Sequence, residues 1–346
     1  MTTTATFNSP NLQSPDHVIS ALPFLLGFIP QASAVLLWLH KHTLVLTQRV
    51  DLPDPTVSEN PSHDLQVWAA QVAQASRHVD ADHVCIALCM EGEITIKHRQ
   101  RSSSTLASVL CRSIVDVGAF PHAIWLVFED QWVEFDFATA SFEGQCHELD
   151  PQIAAEVAED FACAGYEYLS TRHGLVHEVA GDPERQSAVL QAMHDDPGLG
   201  LDLSKNDERE VMIEMFIESC QGVRGGDDHA ARLLLALLDV QVRDGILWKL
   251  SAQEPHAQLI IYLRSLVRSA PPGLRAPVAT IAAIYAWMLG DGARANVVLE
   301  QALSDDPEYA LGRLLQVALT NAVPPSRWVE MMQAMSYERA RGNVDS

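Results

Sequence analysis

The sequence predicts an α/β domain built on a mixed sheet with flanking helices, followed by an all-α domain that contains a tetratricopeptide-like helical hairpin. Three observations lead there. Strand-like runs alternate with helix-periodic runs up to about residue 137. Beyond residue 150 the β signal fades and segment after segment shows 3.6-residue periodicity. The length, 346 residues, exceeds what one core usually serves. The expected organisation is a disordered lead over 1–13, the α/β domain over 14–150, the helical domain over 151–335 and a disordered tail over 336–346.

Ser14 and Pro15 read as an N-cap and the first helical position of "DHVISAL", a short helix that Pro23 ends. The stretch "SALPFLLGFIPQASAVLLWLH" then carries Gly27 and Pro30. Gly27 permits a backbone angle that other residues resist, and Pro30 sets up a strand that begins at Ser33. Two readings stand: a turn from helix into buried strand, with Leu25, Leu26 and Phe28 plugging the sheet edge, or a loop that faces a ligand. "SAVLLWL" and "TLVLTQRVDL", separated by "HKH", fit a hairpin or two neighbouring strands. "PDPTVSENPS" is a loop. Leu65, Trp68, Ala69, Val72 and Ala75 lie at helical spacing. "HVCIALCM" returns to a strand, with "EITIKHR" as its possible pairing partner. "STLASVLCRSIVDVG" is a helix ending at Gly118, and "HAIWLVFED" and "QWVEFDF" are two more strands.

In the second half, Asp182 with Pro183 marks a helix start, and "QGVRGGDDHA" reads as a turn in which Asp227 or Asp228 caps the next helix. Ala286, Gly290, Asp291, Ala295, Leu299, Ala302, Leu303, Asp306 and Pro307 resemble part of a tetratricopeptide unit, whose small residues let two helices approach closely. One such unit is visible. A solenoid needs about three, so a single hairpin is expected and not an array.

Composition narrows the partners. There are 23 basic against 45 acidic residues, a net charge of −22. Phosphate binding draws on Lys and Arg releasing counterions, so nucleic acid and anionic lipid surfaces are poor partners. No Lys or Arg precedes Lys41, so the positively charged region of a signal peptide is missing, and no apolar run approaches the roughly 20 residues that span a bilayer. The expectation is a cytoplasmic protein with no membrane contact. The six cysteines lack a CxxC pair, and most read as reduced core thiols.

No nucleophile elbow, phosphate loop or dinucleotide fingerprint is present. "GDGARAN" has glycines at a helix start, but it joins two helices with no strand before it. His40, His42, His78, Asp80, Asp82 and His83 invite a metal reading, yet they belong to turns where polar side chains are expected anyway. No metal and no cofactor is expected. The one polar cluster is Ser33, Arg49, Asp51 and Arg172: Arg49 and Asp51 alternate onto one face of a strand end, beside a glycine-containing loop. An arginine there can clamp a carboxylate or phosphate bidentately, or simply tie strand to loop through a salt bridge.

"PFLLGFIPQASAVLLWL", "TQRVDLP", "LSTRHGLVHEV" and "AAIYAWMLGDGARANVVLEQALSDDPEYALGRLLQVAL", in that order, resemble the actinobacterial family called domain of unknown function 4192, from about residue 14 to about 330. The resemblance implies an actinobacterial cytoplasmic origin and no particular activity. Relatives typically carry an Arg-Trp-Trp-Ser-Tyr segment followed by several cysteines. Here "QWVEFDFATASFEGQCHELD" keeps Trp132 and Cys146 without a cysteine pair. Any metal that those cysteines hold in relatives is therefore expected to be lost here.

Two functions remain. The leading expectation is a non-catalytic adaptor whose helical domain binds another protein, a basic one by charge. The alternative is a small-ligand-binding protein or enzyme using Ser33, Arg49, Asp51 and Arg172.

Overall fold

The computed structural model describes residues 14–41, 43–53, 61–91, 96–163, 166–195, 203–222, 225–253 and 256–341. They form two compact units, one running to Arg172 together with Asn321–Val323, the other holding the remainder.

The first unit contains, in order, α1 (Pro15–Leu26), β1 (Ser33–His40), β2 (Thr43–Asp51), α2 (Pro61–Ala73), α3 (Ser76–Val79), β3 (His83–Cys89), α4 (Ile96–Asp116), β4 (Phe120–Phe128), β5 (Gln131–Glu134), β6 (His147–Glu148) and α5 (Pro151–Cys163). The strands make one mixed sheet in the order β2-β1-β3-β4-β5-β6. Only β3 and β4 pair in parallel, and α4 supplies the long crossover that a parallel pair requires.

β1, β3 and β4 are buried along most of their length, as strands covered on both faces must be. Ala34, Leu36, Trp38, Val84, Ile86, Leu88, Ile124 and Leu126 share one face and pack on Ala69 and Val72 of α2 and Leu110 and Ile114 of α4. The two-residue period sends Val35, Leu37, Cys85, Cys89 and Trp125 to the other face, where they are equally buried. Helix α1 crosses that face. Asp16 at its start accepts from Trp132 Nε1 on β5 at 3.2 Å, and the helix also touches β2. α5 packs on α1 in turn, with Phe24 stacked on Phe161 at 4.8 Å. That packing carries the first unit past 150, where the sequence reading drew its boundary, to Arg172.

Ser14 caps α1 as expected, accepting from the His17 amide. Pro23, however, lies inside α1 and does not end it. A proline removes one helical hydrogen bond, but Leu22 and Leu26 bury on either side of it and hold the helix on the sheet. The helix ends at Gly27, whose φ of 74° is left-handed. A second correction concerns the expected strand "EITIKHR": its residues 93–95 lie outside the described residues, and Ile96–Arg99 belong to the crossover helix α4. Residues 1–13, 42, 54–60 and 92–95, which take in the expected lead, part of the "HKH" turn, most of the "PDPTVSENPS" loop and the start of the expected strand "EITIKHR", lie outside the described residues.

α6 (Arg172–Val179) straddles the division, and the second unit continues with α7 (Pro183–Asp195), α8 (Asn206–Cys220), α9 (Asp227–Ala236), α10 (Val240–Ser251), α11 (Ala257–Ser269), α12 (Arg275–Met288), α13 (Gly292–Asp305), α14 (Ala310–Thr320), α15 (Pro325–Gln333) and α16 (Tyr337–Ala340). α12 is buried on every side from Ala276 to Trp287, which marks it as the centre of this unit's core. Its first amides are satisfied from α13: Asp305 accepts from Gly273, Arg275 and Ala276 at 2.8–3.0 Å. α13 returns along α12 after a tight turn capped by Asp291, which accepts from Arg294 N at 2.9 Å. Gly312 lets α14 approach this pair, because a Cβ there would meet Leu303 at 3.0 Å and Thr280 at 3.4 Å.

Two sequence expectations change in this unit. The N-cap of α9 is Gly226, not Asp227 or Asp228, which instead place negative charge in the first turn beside the exposed amides. The tail expected from 336 contains α16, started by Ser336, whose hydroxyl accepts from Arg339 N.

Gly27 offers a clean stability test. No atom lies within 4 Å of a Cβ built there, so Gly27→Ala meets only the left-handed backbone penalty. We expect a loss of about 1–2 kcal/mol in urea unfolding, and recovery of part of it in Gly27→Asn. No loss in Gly27→Ala would show that the α1 terminus relaxes freely.

Candidate functional site

One polar cluster in each unit stands at a sheet end or along a groove. In the first unit it is the sheet end where β1 starts and β2 and β3 finish. Register places Asp51, Ser33 and Cys89 side by side across β2, β1 and β3, with Arg49 one step along the same face opposite Val35. The Arg49 guanidinium reaches the Asp51 carboxylate at 2.6 Å through Nη2 and donates to the Gln31 carbonyl at 3.5 Å. Its carbon stands 5.9 Å from the centre of the Phe28 ring. Phe28 is fixed in turn by the loop, which bridges to Leu169: the Ile29 amide donates to the Leu169 carbonyl and the Leu169 amide to the Gly27 carbonyl.

Ser33, Arg49 and Asp51 therefore meet. Arg172 opens α6 three residues beyond the Leu169 bridge, and the strand register that joins the other three does not include it. Sequence reading missed Phe28 as a partner of Arg49, and Cys89 as the neighbour of Ser33. The even spacing of Ser33, Val35 and Leu37 was the available signal for the face; the pairing of β1 with β3 was not available.

The thiols here are poor nucleophiles. Burial pushes Cys89 up to about 12, although the Arg49 charge pulls the other way, and burial pushes Cys85 up to about 11. The turn histidines serve the fold: His40 Nδ1 donates to the Asp80 carbonyl at 2.6 Å, and Asp82 accepts from the Lys41 amide while touching His83 at 3.1 Å. His42 lies outside the described residues. Among the described residues no group of three or more His, Cys, Asp or Glu is arranged to hold a metal.

In the second unit a groove of about 560 Å³ runs along α8. Asp207, Glu210, Glu214 and Glu218 line it at helical spacing, with Val211 and Met215 between them and His229 of α9 at one end. Val211 is 56% exposed. The Ser219 hydroxyl donates to the Met215 carbonyl and accepts from His229 Nε2, both at 2.7 Å. Burial lowers the His229 pKa, so the ring stays neutral and adds no positive charge. The spacing of these acids is visible in "NDEREVMIEMFIESC", one of the helix-periodic segments beyond residue 150.

The N-terminal part of the groove is held by the chain's own cations. Glu210 accepts from the Tyr337 hydroxyl at 2.7 and 2.9 Å, from Lys249 Nζ at 3.1 Å and from Arg341. Lys249 also pairs with Glu214. Lys249 and Arg341 both lie on the Tyr337 ring, at 4.9 and 5.6 Å from its centre. Trp248 packs beside that ring at 5.1 Å and donates to the Met335 carbonyl at 2.9 Å. α16 is thus fastened to α8 and α10.

Burial raises the Glu210 pKa, but the bonds from Tyr337, Lys249 and Arg341 outweigh it and hold the carboxyl below the ordinary 4.5. A depressed folded value means that stability is present above 4.5 and is lost as pH falls through the lower folded value. Acid titration followed by Trp248 fluorescence should show release of α16 in that window. Glu210→Gln should cost about 1–3 kcal/mol and remove the transition, and a transition that survives in the variant would assign it elsewhere. A thiol reagent at mildly alkaline pH should modify exposed Cys163 quickly, and Cys85, Cys89 and Cys220 only after unfolding. Fast labelling of Cys85, Cys89 or Cys220 in the folded protein would show that its surroundings open readily.

Among the described residues no helix is long and apolar enough to cross a membrane. No curated protein and no solved structure matches the chain. A family model matches residues 15–326, from the first residue of α1 into α15, and the chain belongs to that family, Domain of unknown function (DUF4192).

Proposed function

We propose that this protein is a non-catalytic adaptor of the actinobacterial cytoplasm whose helical unit receives a basic segment of another protein along α8. The α12–α13 pair, read as a tetratricopeptide-like hairpin, belongs to the scaffold that presents this helix. The observation that carries the reading is the α8 groove, with four acids one turn apart around an exposed valine. From Asp207 to Glu218 the acids span about 16 Å along the helix axis. A complementary segment presents Lys or Arg at every turn and one aliphatic side chain against Val211. Lys249 and Arg341 already neutralise Glu210 and Glu214, which leaves Asp207 and Glu218 as the two ends that an incoming chain engages. The overall charge of −22 favours the same kind of partner by long-range attraction.

A labelled amphipathic Lys/Arg helix, compared by fluorescence anisotropy with its Glu counterpart, tests this. The basic helix should bind saturably and weaken with salt. Reversing Asp207 and Glu218 to Lys together, which leaves the Glu210 cluster intact, should reduce affinity roughly tenfold. Equal binding by the double variant, or no binding by the wild type, would overturn the assignment.

A further inference from the structure

The sheet-end cluster of the first unit holds two buried polar atoms that nothing among the described residues satisfies: Ser33 Oγ and Arg49 Nε. Buried donors without partners are rare enough in folded proteins to require a reason. Ser33 is fully buried and the Arg49 side chain is 19% exposed. They stand on neighbouring strands, on one face of the sheet, diagonal to each other across the Ser33/Asp51 pair. Side chains in that diagonal relation are within mutual reach.

The hydrogen bonding of Arg49 shows what is missing. A guanidinium presents Nε and one terminal nitrogen as a fork that matches the two oxygens of a carboxylate. Asp51 takes one tine of that fork, Nη2, and the Nε tine stays unpaired. The Asp51 side chain is 80% exposed, and an ion pair with so exposed a partner contributes little. It can swing to solvent at small cost. The remaining walls suit an anion with a short apolar part: the Phe28 ring beside the guanidinium, and the Cys89 thiol, which is neutral and so brings no second negative charge. The location agrees, because ligands of α/β sheets gather beyond the carboxyl ends of parallel strands, here β3 and β4.

We propose that Arg49 and Ser33 form a binding site for a small organic carboxylate, which takes both Nε and Nη2 of Arg49, accepts from the Ser33 hydroxyl, and displaces Asp51 toward solvent. The site is independent of the α8 groove and does not require Arg172.

The test uses the full-length protein with acetate, succinate, citrate and inorganic phosphate as probes, in thermal unfolding and calorimetric titration, against sodium chloride at matched ionic strength. At least one carboxylate should stabilise the protein saturably and more tightly than phosphate. Arg49→Lys keeps the charge but loses the fork, and should weaken that response at least about tenfold. Ser33→Ala should weaken it several-fold. Asp51→Asn removes the competing carboxylate on the surface, where it does not threaten folding, and should tighten binding several-fold. No saturable response from any carboxylate overturns the proposal. So does phosphate binding more tightly than every carboxylate, an undiminished response in Arg49→Lys, or unchanged or weaker binding in Asp51→Asn.

Discussion

The first unit depends on covering both faces of β1, β3 and β4. Two helices, α2 and α4, cover one face and come from the chain between the strands. The other face is crossed by α1, which precedes every strand, so the chain must leave α1 and turn at once into β1. Gly27 makes that turn with a left-handed residue, and the next few residues bridge to Leu169 before Ser33 enters the sheet. The covering requirement therefore determines where the loop of Gly27 to Ala32 lies. That loop brings Phe28 and the Gln31 carbonyl to Arg49.

The second unit meets a different constraint. α12 is apolar all round and has to be wrapped by other helices, and its ends are closed by neighbours: Asp305 of α13 satisfies its first amides. Wrapping leaves the outermost helices with one face in water. On α8 that face carries acids, and four carboxylates at one-turn spacing repel one another. Lys249 and Arg341 offset the repulsion around Glu210 and Glu214, and the Tyr337 ring gives both cations a second contact. Short as it is, α16 holds its place through charge and one aromatic ring, with a single buried residue, Ala340.

Local rules recovered what local rules determine. The Ser14 cap, the start of β1 at Ser33, the β1–β2 hairpin and the Asp182–Pro183 helix start are each set by residues within one turn or one strand. The failures are equally specific. Pro23 breaks an isolated helix, yet here sheet burial of Leu22 and Leu26 keeps α1 going to Gly27. Ile96–Arg99, the described part of the expected strand "EITIKHR", serve as the start of a crossover helix. α16 falls in the expected tail because what fastens it is an ion pair to a residue far away in sequence. The same limit governs the sites. Arg49 and Asp51 are two residues apart, so their meeting was readable. Cys89 joins them only through the pairing of β1 with β3, and Glu210 meets Arg341 only through the packing of α16.

The two sites set opposite demands on one acidic chain. A field from a charge of −22 would draw the proposed basic partner toward α8 and oppose the approach of any anion. Screening limits that opposition to about 8 Å at physiological ionic strength, so what matters for an anion is the last layer of residues that it crosses. At the sheet end that layer is Asp51, the carboxylate paired with Arg49. Deeper in, Arg49 sits among Phe28, Ser33 and a protonated Cys89, where the lower effective dielectric strengthens a single cation. An acidic surface and a buried anion-binding arginine are therefore compatible, provided that the nearest acid is exposed enough to move. The same reasoning assigns salt opposite effects: it weakens the attraction that brings a basic segment to α8, and it lowers the barrier that surface carboxylates raise against an anion entering beside Arg49.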